Sequence, residues 1–470
     1  MKFIYILISL FLFTLSCTQA QQKIFSFPIK VIEPHQVRAI ADDSGASCFY
    51  ISLGDKSHFY SIPASGDTFY HHVFTQRFGH SVIEINAVIN TDKNFVFFYS
   101  LVSEGKLSGA FVVNKANGNT TDVKDLDFAD PGPNANLAKV ISDNNCAYFI
   151  YSYPKKQQVG LLRLDDYNRS AFKLFTTDLP RTDKYFKAST FKKINMNMPN
   201  TIYQAHFPEK VYVQGNGQII FTIDINKQND IEKARDLGST RMLTLDWNTG
   251  KSVYRNIPND IQPVNYETNS FLFEDKLFRL SLNGKELNLS IINAESNITL
   301  KRFHFSNLDS VTIQSTPVVI EGARNVFQDG KQIVGEHDNI LKKLDAGFPA
   351  VSVYSYQDSL LVASIGSYTE AQKPITFYLS YGPAFVAVPG PGFFTTGKGQ
   401  STSFKSVFSN ASADFSSQPY QPNSLDKVFD FLYEHRKEKL GQNITYQSGN
   451  KICLGYIHRE NKTFNVVAFE

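Results

Sequence analysis

The densest group of histidines is His71–His72 with His80 nearby, a residue type that ligates zinc or relays protons near neutral pH. Neighbours on a strand face opposite ways, so His71 and His72 cannot close on one metal, and their setting reads as a half-buried strand. Two adjacent carboxylate pairs, Asp42–Asp43 and Asp165–Asp166, have the residue type that cleaves glycosides. Both lie in turn-like sequence, where Asp shapes the backbone. Gly392 to Lys398 matches the opening of a phosphate-binding loop, but Gly399 stands where a hydroxyl should hold magnesium. Ser401 to Ser409 reads as strand or loop, which supplies no helix N-terminus for a phosphate. No HExxH, paired CxxC or GxSxG occurs, so zinc peptidases, zinc ribbons and α/β-hydrolases lose their usual anchors. The reading assigns no catalytic residue, no cofactor and no metal.

One further residue could carry chemistry of another kind. Lys2 and the apolar run Phe3 to Leu15 have the length and flank of an export signal and are too short to span a bilayer. Thr14-Leu15-Ser16-Cys17 then resembles a bacterial lipobox, with Thr14 where Leu is usual; Cys17 would be lipidated and become the mature N-terminus. Thr18-Gln19-Ala20 offers a competing cut before Gln21. The expected organisation is a signal peptide over residues 1–20 and one propeller-like domain over 21–470. Cys48, Cys146 and Cys453 remain, an odd number, so at most one disulfide forms. Asn119, Asn168, Asn288, Asn297, Asn410, Asn443 and Asn461 head sequons, which matter only in a eukaryotic secretory pathway.

The elements that must position any site are strands. With 470 residues, 42% hydrophobic and 19% charged, the chain can build a large core, and its aromatic content of 14%, carried by 40 Phe and 23 Tyr, favours strands. A net charge of +3 lacks the basic excess that nucleic-acid binding needs. One plan recurs: a turn of Asp, Asn, Gly or Lys, an aromatic and β-branched run, a polar loop and a second run. Asp42-Asp43-Ser44-Gly45 leads into Cys48 to Ser52 and then His58 to Ile62; Asp92-Lys93-Asn94 and Asp143-Asn144-Asn145 open the next two copies. Asn216, Asp275, Asp358 and Asn450 open later ones. The first five anchors, Asp43, Asp92, Asp143, Asn216 and Asp275, are 49, 51, 73 and 59 positions apart, close to the spacing of propeller blades where insertions are allowed. Asn226 to Gly238 is one such insertion. The later gaps of 83 and 92 read as nearly two blades each, which gives an all-β propeller of six to eight blades, seven preferred; the alternative is tandem β-sandwiches.

Ser424 to Leu440 has helical spacing, with Ser424 as N-cap and Gly441 as the C-terminal stop, and predicts one helix over about 424–440. A Gly- and Pro-rich loop over about 388–400 precedes it as a surface insertion. At the chain ends, Lys23 to Ile29 alternates, with Pro28 confining it to an edge, and Thr463 to Phe469 is strongly β-prone. The two are expected to close the propeller in one blade, the C-terminal run as an interior strand.

Leu245-Asp246-Trp247-Asn248-Thr249-Gly250-Lys251 resembles the strand-end turn of quinoprotein-type propeller repeats. That likeness implies a tight turn between outer strands and carries no cofactor residues. With the lipobox-like leader and the closing Tyr446 to Tyr456 segment, the chain resembles secreted bacterial β-propeller-like lipoproteins, which implies a fold and an envelope location but no activity. The expected function is non-catalytic binding or scaffolding by an exported, lipid-anchored monomer whose loops hold a protein, peptide or glycan. Its place would be the outer membrane or cell surface, or, if Cys17 is not lipidated, the periplasm or medium. The competing expectation is a secreted glycan hydrolase or lyase with acid and base in the central channel.

Overall fold

The computed structural model describes residues 21–469 apart from 30–33, 54, 67, 76–82, 102–106, 125, 144, 154–155, 188–190, 197, 216, 227–236, 260–266, 308, 324–328, 336–338, 358, 371–398, 436–437 and 439. Cys17, His80, Asn216, Asp358 and the loop over 388–398 therefore lie outside the described residues. Among the described residues thirty strands form seven sheets. Sheet 1 holds β2 (Gln36–Ala41), β3 (Ser47–Leu53), β4 (Lys56–Ile62) and β5 (Tyr70–Thr75), in that order. Sheet 2 repeats it with β6 (Ile83–Asn90), β7 (Asn94–Leu101), β8 (Leu107–Asn114) and β9 (Thr120–Lys124). Sheet 3 uses β10 (Asn136–Ser142), β11 (Ala147–Ser152), β12 (Gln158–Asp166) and β13 (Arg169–Thr176). Sheet 4 orders β14 (Lys192–Ile194), β15 (Glu209–Gln214), β16 (Gln218–Asp224), β17 (Thr240–Asp246) and β18 (Lys251–Ile257). Sheet 5 is β19 (Glu267–Phe273), β20 (Lys276–Asn283), β21 (Glu286–Asn293) and β22 (Thr299–Ser306).

Sheets 6 and 7 depart from simple sequential order. In sheet 6, β25 (Phe348–Tyr356), β26 (Leu360–Glu370) and β27 (Gly399–Ser409) are followed outward by β23 (Val319–Ala323) and β24 (Asp329–Ile333), which come earlier in the chain. Sheet 7 runs β28 (Leu440–Ser448), β29 (Lys451–His458), β30 (Thr463–Phe469) and then β1 (Gln21–Pro28). The C-terminal run is thus paired on both sides, and the N-terminal strand forms the edge, where Pro28 removes no interior ladder bond.

Hairpin turns are set by local chemistry. Asp42 Oδ1 accepts from Ser44 N, at 3.0 Å, and Ala46 N, at 3.0 Å, while Gly45 takes φ 93°. Asp143, Asn114, Asn283 and Asn293 make the same side-chain turn to backbone amides two and three residues on. Burial of the flanking runs does the rest. Successive sheets share cores: Phe49 and Ile51 pack with Phe464 and Val466 between sheets 1 and 7, Tyr50 and Phe59 with Phe97 and Phe111 between sheets 1 and 2, and Ala110 with Phe149 and Leu162 between sheets 2 and 3. Ile150 and Leu161 pack with Phe221 and Leu243 between sheets 3 and 4, and one large cluster joins sheets 4, 5 and 6. Sheets in chain order, each packed face to face on its neighbours with the two termini in one sheet, make the chain an all-β propeller.

The junction of sheets 6 and 7 is the exception, because a helix lies in it. Four short helices occur among the described residues: α1 (Thr182–Lys187), α2 (Ile202–Ala205), α3 (Ile340–Leu344) and α4 (Ser424–Glu434). On α4, Leu425, Val428 and Phe431 pack on Ile452, Leu454 and Val467 of sheet 7. Its other side reaches sheet 6, where Lys405 pairs with Asp426 and Lys331 with Asp430 at 3.0 Å.

Several expectations need correction. The helix over 424–440 stops at Glu434; its N-cap is Asn423, whose side chain accepts from Asp426 N at 2.9 Å, and Leu440 and Gly441 already belong to β28. Gly399 and Gln400, placed in the loop over 388–400, open β27. Three helices besides the expected one are present. The long gaps after Asp275 and Asp358 hold no further sheet among the described residues. They hold the β23–β24 hairpin, α3 and α4, and the anchors Asp43, Asp92, Asp143, Asp275 and Asn450 each mark the turn between the first two strands of one sheet.

Candidate functional site

The connection from sheet 3 to sheet 4 does more than link them. Its β14 adds in parallel to the inner edge of β15, pairing Lys192 with Lys210 and Ile194 with Tyr212. A tight turn follows, in which Asn200 Nδ2 donates to the Asn195 and Met198 carbonyls at 2.7 and 3.1 Å. The carbonyl of Asn200 accepts from Ser352 Oγ of β25 at 2.7 Å, so the segment reaches from sheet 4 to sheet 6. Thr201 and Gln204 then form a reciprocal capping box, which stabilises one turn of helix, and Ile202 and Ala205 of α2 enter the core shared by sheets 4 to 6.

This anchored turn sets out a group of rings. Tyr203 is 43% exposed, whereas His206 is only 8% exposed and has ring centroids of Phe207 at 4.1 Å and Tyr368 at 4.6 Å. Tyr203 and Tyr368 are 5.1 Å apart, and Phe348 stacks on His206 at 6.4 Å. Phe348 begins β25 and Tyr368 lies near the end of β26, so α2 and the end of sheet 6 build the rim together. Lys192 Nζ stands 5.5 Å from the Tyr203 ring and 5.3 Å from that of Phe207. Lys139, in the middle of β10, is close enough for its charge to disfavour that of Lys192. Burial lowers the pKa of both ammonium groups.

His206 Nδ1–H donates to the Tyr203 carbonyl at 2.6 Å. Burial brings its pKa down to about 4, and the Lys210 and Lys192 charges add to that effect against the carbonyl's pull. It is therefore neutral at pH 7, fixed as an aromatic wall with Nε2 unprotonated.

Behind the rim lies a clamp between sheets 4 and 5. Lys210 and Asp224 are both fully buried, 3.7 Å apart. Asp224 accepts from Thr240 Oγ1 at 2.8 Å, Ser270 N at 2.7 Å and Ser270 Oγ at 2.6 Å. Lys210 Nζ also donates to Asn269 Oδ1 at 3.2 Å, and Asn269 Nδ2 donates to the His206 and Phe207 carbonyls at 3.0 and 3.3 Å. The charged pair thus holds the backbone that carries the rim. Burial brings the pKa of Lys210 down to about 8, with Asp224 opposing.

Of the residues weighed from sequence, none belongs to this site. His71 and His72 lie on exposed β5, an outer strand, which corrects the half-buried reading. They do face opposite ways: His71 stacks on Tyr60 at 4.3 Å and meets His58 at 3.0 Å between ring nitrogens, while His72 leans on Phe74. Asp42 serves its turn and pairs with Lys115 at 2.9 Å; Asp165 pairs with Arg163 at 2.7 Å, and Asp166 accepts from Tyr167 N. Asp246 accepts from Asn248 N and Thr249 N, Gly250 takes φ 72°, and the turn joins the outer strands β17 and β18 of sheet 4. Cys48, Cys146 and Cys453 are buried free thiols, and burial raises the pKa of each. Asn288 and Asn443 are buried, which closes those two sequons to a glycan on the folded chain. Among the described residues no group of three metal-ligating side chains converges.

Sequence reasoning missed Lys192, Tyr203, His206 and Phe207, because they lie between repeats. A signal existed: the anchors Asp143 and Asn216 are 73 positions apart, and two of the four methionines, Met196 and Met198, stand in that excess.

No family model and no curated protein matches the sequence. Solved structures do. The chain is similar to a prolyl endopeptidase, at 10% identity and a TM-score of 0.34, over 90% of this chain and 46% of that one. It is similar to the Dos1 propeller at 9% identity and a TM-score of 0.31, over 95% of each chain. A europium-containing methanol dehydrogenase gives 9% identity and a TM-score of 0.30 over 75% of this chain and 66% of that one. The chain thus spans about half the length of the endopeptidase and 66% of the dehydrogenase. None of them transfers an activity to it.

Proposed function

We propose that the protein is exported, held at the envelope by a lipid on Cys17, and binds a ligand through the aromatic rim of Tyr203, Phe207, Phe348 and Tyr368 without transforming it. One observation carries this reading. The segment that presents the rim also fills the space behind it: β14 occupies the inner edge of β15, α2 enters the core of sheets 4 to 6, and Asn200 is bonded to β25. A ligand therefore meets a shallow, rigid platform. The platform offers a half-exposed ring backed by packed rings, the kind of surface that provides contact area at little entropic cost. Among the described residues Asp224, behind the platform, is fully buried and engaged in holding Ser270, Thr240 and Lys210, while the charge of Glu370 reaches Tyr368 at the end of β26. The two classes of activity separate cleanly in one experiment: the mature protein is applied to arrays of glycans and peptides, and the probes it retains are assayed for cleavage. Retention lost in Tyr203→Ala with the probe recovered intact supports the reading. Cleavage of the retained probe refutes it in favour of the hydrolase or lyase.

A further inference from the structure

Resting on that reading, we infer that the rim takes an acidic saccharide, whose carboxylate sits between Lys139 and Lys192 while a pyranose face lies on Tyr203. Lys192 stands beside the Tyr203 and Phe207 rings on β14, and β14 meets β10, the strand of Lys139, where Lys193 donates to the Ser142 carbonyl. Among the described residues no carboxylate pairs with Lys139 or Lys192, and Lys192 has only the faces of Tyr203 and Phe207. Other ammonium groups of this protein are answered by oxygen: Lys115 by Asp42, Lys405 by Asp426, Lys210 by Asp224, and Lys173 and Lys193 by backbone carbonyls. Burying a charge without a partner is costly, and two like charges side by side cost more, so an arriving anion is stabilised by both.

Geometry favours a sugar over an extended peptide as the carrier of that anion. Peptides commonly bind a sheet protein by adding a strand to an open edge. Here the edge of β15 beside Lys192 is already taken by β14. What remains exposed is part of Tyr203, with Lys192 Nζ 5.5 Å from its ring. That suits a flat ring with apolar C–H faces and an equatorial carboxylate.

The test uses the mature full-length chain with three probes: tetragalacturonate, its methyl ester, and tetraglutamate. Tetragalacturonate should bind, weaken with rising salt, and lose about tenfold in affinity for each of Lys139→Met and Lys192→Met, the usual loss for one charge-assisted hydrogen bond. Lys139→Gln and Lys192→Gln repeat the measurement should a Met variant not fold. The ester should bind at least about tenfold more weakly. Equal binding of acid and ester, insensitive to both lysines but abolished by Tyr203→Ala, would overturn the anion assignment and leave the rim as the binding face. Tighter binding of tetraglutamate would overturn the saccharide. Binding of no probe at millimolar concentration would overturn the inference alone, whereas binding that survives Tyr203→Ala would overturn both it and the reading beneath it.

Discussion

Replacing Asp224 by Asn removes one negative charge from a site closed to solvent while preserving its shape. Lys210, fully buried, then faces no carboxylate among the described residues, and Arg279 loses the negative charge that opposes its desolvation. Breaking a buried pair from one side costs about 3–5 kcal/mol, because the remaining charge stays desolvated. Unfolding entropy of about 2.1 cal/mol/K per residue over some 450 residues converts about 4 kcal/mol into a fall of about 4 °C in Tm for unfolding as one unit. Removing the cation is different. In Lys210→Met the carboxylate keeps Thr240 Oγ1 and both donors of Ser270, and Arg279 still answers its charge. The expected loss is about 1 kcal/mol or less, since a desolvation cost disappears with the charge. Calorimetry of both variants tests the asymmetry. A pH series adds the sign: Lys210 has a pKa of about 8 when folded, against about 10.4 unfolded, so between these values the unfolded chain binds more protons and this group makes stability rise with pH. Lys210→Met should flatten that rise. Equal losses in the two variants, or a smaller loss in Asp224→Asn, would refute the account of the clamp.

Deleting Thr463 to Glu470 removes the strand that joins β29 to β1 and, with it, the buried Phe464, Val466, Val467 and Phe469. At about 1.5–3 kcal/mol for each large side chain, the loss rivals a domain's whole stability, so soluble folded protein should not be recovered; an unchanged Tm would refute closure through sheet 7. Lipidation at Cys17 predicts that the protein partitions with membranes and that Cys17→Ser releases it or stalls its processing, whereas a mature mass beginning at Gln21 would end that claim.

What could be read from the sequence was chemistry that acts within a few residues. An Asp or Asn whose side chain caps amides a few positions on is visible as a letter, as at Asp42, Asp143 and Asp246, and so is an aromatic-rich run such as Phe95 to Tyr99. Equivalent turns recur because sheets 1, 2, 3, 5 and 7 each need the same bend between their first two strands. Outer strands were harder, since β5 and β22 are largely exposed and their side chains answer to solvent rather than to a core. Where a strand's partner precedes it by a long stretch, as β23 precedes β27, no local pattern records the pairing.

The rim belongs to this second kind of information. Nothing about Lys192 in isolation distinguishes it from Lys193 beside it, yet Lys193 donates to the Ser142 carbonyl while Lys192, among the described residues, meets the faces of Tyr203 and Phe207. The difference arises from β14 lying parallel on β15, which aims successive side chains to opposite sides. That pairing in turn depends on a clamp whose members, Lys210, Asp224 and Asn269, are drawn from three strands and two sheets. A clamp this buried is a costly way to hold two sheets together, since apolar packing does so without desolvating a charge. It does fix something that apolar packing leaves adjustable: through Asn269 it places the carbonyls of His206 and Phe207, and so the walls of the rim, to within hydrogen-bonding tolerance. A structural core and a binding surface thus share one polar network, and a substitution that loosens the clamp without unfolding the chain, such as Asp224→Asn, should weaken ligand binding as well as lower thermal stability.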